Sequence, residues 1–390
     1  MTEFDDIRPY ADSEVTGVIE RLLNDDEFLY FLARYQSPAL TKWLPGLVKY
    51  LVSRTLRKQF GNVGSIADFQ DVVSHYATRL VQETTDAFYY EGLESLDRDK
   101  PCLFVSNHRD IATDSMLVNY ALYLSGYNTV RIAVGDNLVQ RDFATDLMRL
   151  NKSFFIKRSE KAGRRMYAAL LESSKYIRYS LDQGHSVWIA QREGRAKDGW
   201  DKTDPAIIKM FVLADRKADF SAAINQLNIV PVSISYEFDP CDQLKAKELK
   251  SIAETGIYEK PPAEDLISLA KGLSGPKGRV CLRFGEPLNG KFDGPDHVAR
   301  VIDQQILNNL ELFPVNYWAL SRLAQLPYRD VHEAYSGKIS LTPTDVSKSK
   351  QRYETCPEAL RHYWLKMYAN PVVNKYQSRV EHMEPATRRG

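Results

Sequence analysis

Apolar positions between residues 13 and 85 recur with helical spacing. Val15, Val18, Ile19, Leu22 and Leu23 share one side of a first helix, and Phe28, Leu29, Phe31 and Leu32 extend the pattern. A second helical stretch over residues 68–85 gathers Val72, Val73, Tyr76, Leu80 and Val81. From Phe88 onward short apolar runs alternate with helix-compatible segments. The runs are Phe88 to Tyr90, Leu103 to Ser106, Val130 to Val134, Ser153 to Ile156, Val187 to Ala190, Val230 to Ser235 and Val280 to Phe284. Helices are expected over Asp114 to Leu124, Gln140 to Leu150, Ala162 to Asp182 and Pro205 to Leu227. Such alternation predicts an α/β layered domain, with a largely parallel or mixed sheet flanked by helices.

Loop punctuation follows at Glu259-Lys260-Pro261-Pro262 and Gly275-Pro276-Lys277-Gly278. Residues 296–325 look helical, Ser336 to Lys350 reads as a polar linker, and the aromatic tail beyond it as a returning helix. The expected organisation is a helical region over 1–86, the α/β domain over 87–290 and a helical C-terminal region over 291–390.

Residues 40–60 stand apart. Leu40, Trp43, Leu44, Leu47, Val48, Tyr50 and Leu51 cluster with helical periodicity, and every charge there is positive: Lys42, Lys49, Arg54, Arg57 and Lys58. Pro45-Gly46 kinks the segment or starts a fresh turn. A basic amphipathic helix with a tryptophan suits the headgroup region of an anionic bilayer. A core-packing helix with a solvated basic face fits the same residues.

Composition narrows the class. At 390 residues the chain exceeds the usual single core. A net charge of +1, with no basic stripe interleaved with aromatics, argues against a nucleic-acid partner. Cys102, Cys241, Cys281 and Cys356 lie far apart, with neither zinc-ligand spacing nor a disulfide framework, which fits a reducing cytosol. The acidic N-terminus has no apolar core, so no signal peptide is expected. No apolar run approaches the ~20 residues of a spanning helix. The expectation is a cytoplasmic protein, peripheral on the inner face of a membrane.

The chemistry-bearing feature is Asn107-His108-Arg109-Asp110, which closes the apolar run Cys102 to Val105, with Asp114 just beyond. A buried strand that ends in charged groups delivers them to its C-terminal edge. A histidine beside a carboxylate meets the needs of a hydroxyl-activating general base. The bland alternative is a satisfied turn histidine, with Asp110 or Asp114 capping the helix.

The Asn-His-Arg-Asp-Ile segment followed by Asp114 resembles the first block of the glycerolipid acyltransferases. Phe154-Phe155-Ile156-Lys157-Arg158 is similar to their second block, Val187 to Arg195 (ending Glu193-Gly194-Arg195) to the third, and Ile229-Val230-Pro231-Val232-Ser233-Ile234 to the fourth. Gly285-Glu286-Pro287-Leu288 resembles the end of their final strand. The four blocks fall in the expected order over residues 100–235. Two departures mark a divergent, bacterial-type member. Asp114 lies one residue beyond the usual aspartate register, which Thr113 occupies, and the common Glu-Gly-Thr-Arg is shortened.

The resemblance implies the same α/β architecture and an acyl transfer from acyl-CoA or acyl-carrier protein to a hydroxyl of glycerol-3-phosphate, 1-acylglycerol-3-phosphate or a related lipid acceptor. His108 would be the base, with Asp114 as its expected partner and Asp110 as the alternative. Asn107 and Gly194 would belong to the substrate site, and Glu193 would orient an arginine or bind the acceptor hydroxyl. A phosphorylated acceptor calls for cations, and Arg158 and Arg195 at strand ends are the first candidates, since guanidinium forks fit phosphate. Lys157 and Arg192 stand in reserve, because alternation turns one of each adjacent pair away. Arg109 is a candidate for the phosphates of the acyl carrier. Trp188 reads as core and Pro231 as shaping its strand.

No serine nucleophile and no metal is required, and no cofactor beyond the acyl donor is expected. A different class, a non-catalytic lipid-binding module with the same fold, would consume no thioester. A metal hydrolase lacks its H-E-x-x-H motif here.

Overall fold

Near residue 86 the period of the apolar pattern changes, and the architecture changes with it. The computed structural model describes residues 3–136, 141–158, 163–261, 264–335 and 338–383. Within these, seven strands are present: β1 (Ala87–Glu91), β2 (Leu103–Ser106), β3 (Arg131–Gly135), β4 (Ser153–Ile156), β5 (Val187–Ala190), β6 (Ile229–Tyr236) and β7 (Arg279–Phe284). Each expected apolar run is a strand, and the fold is α/β. Gln140, Ala162, Pro262 and Ser336, at edges of expected elements, lie outside the described residues.

The chain divides into two compact units, residues 1–78 with 128–187 and residues 79–127 with 188–390. In the first, helices Asp12–Asn24, Asp26–Gln36, Pro38–Trp43 and Pro45–Phe60 precede the start of a fifth, Ile66–Thr84. Asp25 starts the second by accepting the Phe28 amide at 2.8 Å. Val15, Val18, Leu22, Phe28 and Leu29 form a core with Val48, Val52, Leu56, Phe143 and Leu150. This unit also holds β3, paired in parallel with β4.

The helix Pro45–Phe60 answers to both readings of its sequence. Val48, Val52 and Leu56 are buried in the core. The other apolar residues, Leu40, Trp43, Leu44, Leu47, Tyr50 and Leu51, are exposed, Trp43 to 79%. Lys49 pairs with Asp26, and Arg57 donates to Asn24, so two of the five cations serve the helical packing. No helix among the described residues is long and apolar enough to cross a membrane.

In the second unit the strand order is β1-β7-β6-β2-β5. β1 runs parallel to β7 and β2 to β6, whereas β6 and β7 are antiparallel, so the sheet is mixed. β2 and β5 are buried along their whole length, which is why they read as unbroken apolar runs. Pro231 precedes the point where pairing with β7 begins, Val232 opposite Phe284.

Three expectations need correction. The stretch from Pro205 to Leu227 is two helices, Pro205–Phe211 and Phe220–Gln226, because tight turns intervene and Asp219 caps a new start through the Ala222 amide. The 296–325 stretch breaks before Pro314, which opens Pro314–Leu320 after Pro295–Asn309. The expected polar linker contains the helix Pro343–Glu354, begun by a capping box in which Thr342 and Asp345 exchange side-chain and backbone hydrogen bonds. Beyond it, Arg361–Met383 is the returning helix, and its Trp364 is fully buried.

Candidate active site

β2 ends at Ser106, and the chain then turns sharply into the helix Thr113–Leu124. Asn107 makes that turn possible. Its amide oxygen accepts the Ile234 N–H at 2.8 Å and its amide nitrogen donates to the Ile234 carbonyl at 2.9 Å, extending the β2–β6 pairing by a side chain. Asn107 is fully buried and its amide is spent on the sheet.

His108 follows, part-exposed, with Nδ1 at 2.8 Å from Asp114 Oδ2. The same oxygen accepts the backbone amides of Arg109 at 2.6 Å and Asp110 at 3.0 Å. The other, Oδ1, accepts the Tyr236 hydroxyl at 2.8 Å. Burial alone would raise the Asp114 carboxyl. The His108 hydrogen bond and charge, helped by the two amides, outweigh it and hold the group below the usual carboxylate range. Burial and the Asp114 charge push the Tyr236 phenol well above its ordinary value, so it remains a donor. An ionised carboxylate only accepts hydrogen bonds, so Nδ1 is the ring nitrogen that donates to Asp114, and Nε2 is the one left for other chemistry. Trp188 holds the imidazole edge-on at 5.9 Å and donates its indole N–H to Ser106 Oγ at 3.0 Å.

Asp110 does something else. Its Oδ1 accepts the Ala112 and Thr113 amides at 3.1 and 2.9 Å, at the start of the helix. Its Oδ2 is buried without a partner, and burial followed by the Asp114 charge raises this carboxyl. The close carboxylate serves the helix, and the distant one reaches the histidine.

The loop after β5 lies beside this turn. Gln191 N–H donates to the Ser106 carbonyl at 2.7 Å, and Ala196 N–H to the His108 carbonyl at 2.8 Å. Glu193 and Gly194 are exposed. Gly194 sits at φ +72° with open space where a Cβ would be, so glycine is required there by backbone conformation. Arg195 has a buried guanidinium nitrogen without a partner, and among the described residues it forms no ion pair. Arg109, by contrast, is committed to Asp201, which also lies 3.5 Å from the Asn107 amide. Burial raises the Asp201 carboxyl, and the Arg109 charge opposes that.

Arg158 belongs to the other unit, where its backbone amide donates to Asp136 Oδ1 at 3.0 Å. Lys157 in that unit pairs with Glu172. Three residues of the site were missed in the sequence: Tyr236, Asp201 and Lys245, whose ammonium donates to the Arg109 carbonyl at 2.7 Å. Only Tyr236 carried a signal, its place at the C-terminal end of β6. No group of residues fit to hold a metal ion occurs among the described residues.

A histidine–carboxylate pair at the end of a buried strand, with an arginine-bearing loop stitched to it, defines a domain class. Residues 87–235 match the Acyltransferase family. The relatives it resembles are dihydroxyacetone phosphate acyltransferases. The Bos taurus and Homo sapiens proteins are each 23% identical over 202 residues, 51% of this chain and 28% of theirs. The Mus musculus protein is 22% identical over 230 residues, 58% of this chain and 32% of its own. The matched part therefore spans less than a third of those relatives. A solved structure, the 1-acyl-sn-glycerophosphate acyltransferase PlsC of Thermotoga maritima, aligns with a TM-score of 0.39 at 15% identity, covering 72% of this chain and 92% of that one.

Proposed function

We propose that the chain is an O-acyltransferase that esterifies a phosphorylated glycerol or its close kin with a fatty acyl group from a thioester donor, acyl-CoA or acyl-carrier protein. Glycerol-3-phosphate, 1-acylglycerol-3-phosphate and dihydroxyacetone phosphate each offer a hydroxyl and a phosphate on a three-carbon frame. His108 Nε2 takes the hydroxyl proton as the oxygen attacks the thioester carbonyl. The tetrahedral oxyanion collapses, the C–S bond breaks, and the imidazolium returns its proton to the departing thiolate. Asp114 fixes the ring and stabilises the imidazolium, a contribution of about 10²–10⁴-fold when proton transfer is positioned. Arg195 binds the acceptor phosphate.

The observation that carries this reading is the Asp114–His108 pair in its turn, 2.8 Å long, with Nε2 unused. The unpaired Arg195 nitrogen supports the anion subsite. The exposed apolar residues 40–51 support contact of their unit with an anionic membrane surface, where lipid products and acyl chains reside. Incubating the purified chain with labelled acyl thioester and a panel of glycerol phosphates tests the reading. Acyl ester should form with at least one phosphorylated acceptor and disappear in His108→Ala. Thioester consumption that persists in that variant would overturn the assignment.

A further inference from the structure

Lys245 sits on the helix Asp242–Thr255, beyond the matched domain, and is 2% exposed. A lysine ammonium has three donors. Here each finds one acceptor: the Arg109 carbonyl at 2.7 Å, the Ala196 carbonyl at 3.4 Å and the Asp239 carboxylate. The first two acceptors belong to the loops that carry His108 and Arg195. Those loops touch directly through Ala196 N–H and the His108 carbonyl, 2.8 Å apart. Asp239 is itself anchored, since its other oxygen accepts the Cys241 amide at 2.7 Å.

We propose that Lys245 is a positioning residue: its buried ammonium fixes the spacing between the loop of the general base and the loop of the anion-binding arginine. This rests on the functional reading above, but its structural half does not. A buried ion pair is weak support for stability, because well-packed apolar replacements often match it. A cation driven between two carbonyls of separate loops holds geometry instead. Backbone carbonyls near the ammonium lock each loop's peptide plane, and so the direction in which His108 and Arg195 leave the chain.

The test uses two variants of the full chain. Lys245→Met removes the donors and leaves the Asp239 carboxylate uncompensated. Lys245→Met with Asp239→Asn removes the pair together and restores charge balance, so it folds even where the single variant does not. Hydrogen–deuterium exchange is read over residues 107–112 and 193–198, with the helix Asp12–Asn24 as reference, alongside kcat and KM for the phosphorylated acceptor and for the donor. In the double variant both loops should exchange faster while the reference segment is unchanged. Its acceptor kcat/KM should fall about ten- to a hundredfold, the scale of a misplacement near 1 Å, with the donor KM unmoved. Wild-type exchange and kinetics in the folded double variant would overturn the proposal. If the intact chain transfers no acyl group, the functional reading fails, and the exchange arm alone decides whether Lys245 couples the loops.

Discussion

Tyr236 donates its hydroxyl to Oδ1 of Asp114 at 2.8 Å, on the carboxylate oxygen that His108 leaves free. Tyr236 ends β6 and Asp114 lies in the first turn of the helix Thr113–Leu124, where the phenol also lies 3.1 Å from Thr113 Oγ1. Tyr236 therefore sets the plane of the carboxylate, and the carboxylate sets the ring. Asp114→Asn keeps the shape but lets an amide nitrogen face Nδ1, which favours the wrong tautomer; kcat should drop about 10²–10⁴-fold. Tyr236→Phe removes one neutral-to-charged hydrogen bond worth about 1.5–3 kcal/mol and should cost less activity than the aspartate change. Steady-state kinetics on the folded variants checks the order. A Tyr236→Phe loss equal to that of Asp114→Asn would contradict it.

Arg195 has a buried guanidinium nitrogen with no partner beside the His108 turn. Replacing it by lysine keeps charge and loses the fork, and alanine loses both. Acceptor KM should rise about tenfold or more for Arg195→Ala, given about 1.5–3 kcal/mol for a charge-assisted contact, with donor KM little changed. Inhibition by free inorganic phosphate should weaken in parallel. Equal inhibition of wild type and Arg195→Ala would place the anion elsewhere.

The exposed residues Trp43, Leu47 and Leu51 define the surface expected to meet lipid. Withdrawing such side chains from water is worth on the order of 1 kcal/mol each when partly buried. Trp43→Ser with Leu47→Ser should lower vesicle binding for both neutral and anionic lipid. Neutralising Lys42, Arg54 and Lys58, exposed cations of this segment, should lower it for anionic vesicles only. Flotation assays distinguish the two contributions, and unchanged flotation in the serine pair would remove the apolar face as an anchor.

Asp303 makes a prediction about stability. Burial lifts its carboxyl from 3.8 to about 6, although Thr203 donates to it through N–H at 2.7 Å and its hydroxyl at 2.6 Å. A raised carboxyl contributes stability that is fully present below its unfolded value and is lost as pH rises through the folded one. From about pH 4 to above 6 this group therefore weakens the fold, by about 3 kcal/mol in all. Asp303→Asn retains the accepting oxygen that serves Thr203 and removes the titration. Denaturation at pH 5 and pH 8 should show a smaller fall in stability for the variant. Parallel behaviour of both proteins would exclude Asp303 as a source.

All seven strands were legible in the chain: β2, β4 and β5 are buried along their whole length and leave unbroken apolar runs, whereas β1 and β3 are only partly buried and read through short apolar runs between polar segments. The helix starts at Asp219 and Thr342 were missed, although each side chain caps its helix locally, because the capping residue sits inside a polar stretch. The motif around His108 was also visible. What the chain order left open was the choice between Asp110 and Asp114. Packing decided it: Asp110 turned to the helix amides, and Asp114 was left to His108 by a loop folded onto β6. The partners that complete the arrangement lie far along the chain, Tyr236 at 122 residues from Asp114, Asp201 at 92 from Arg109, Lys245 at 136 from Arg109. Periodicity reports only on neighbours within a turn or a pleat. Contacts of that span exist only once the sheet has brought strand ends together, so tertiary structure alone could supply them.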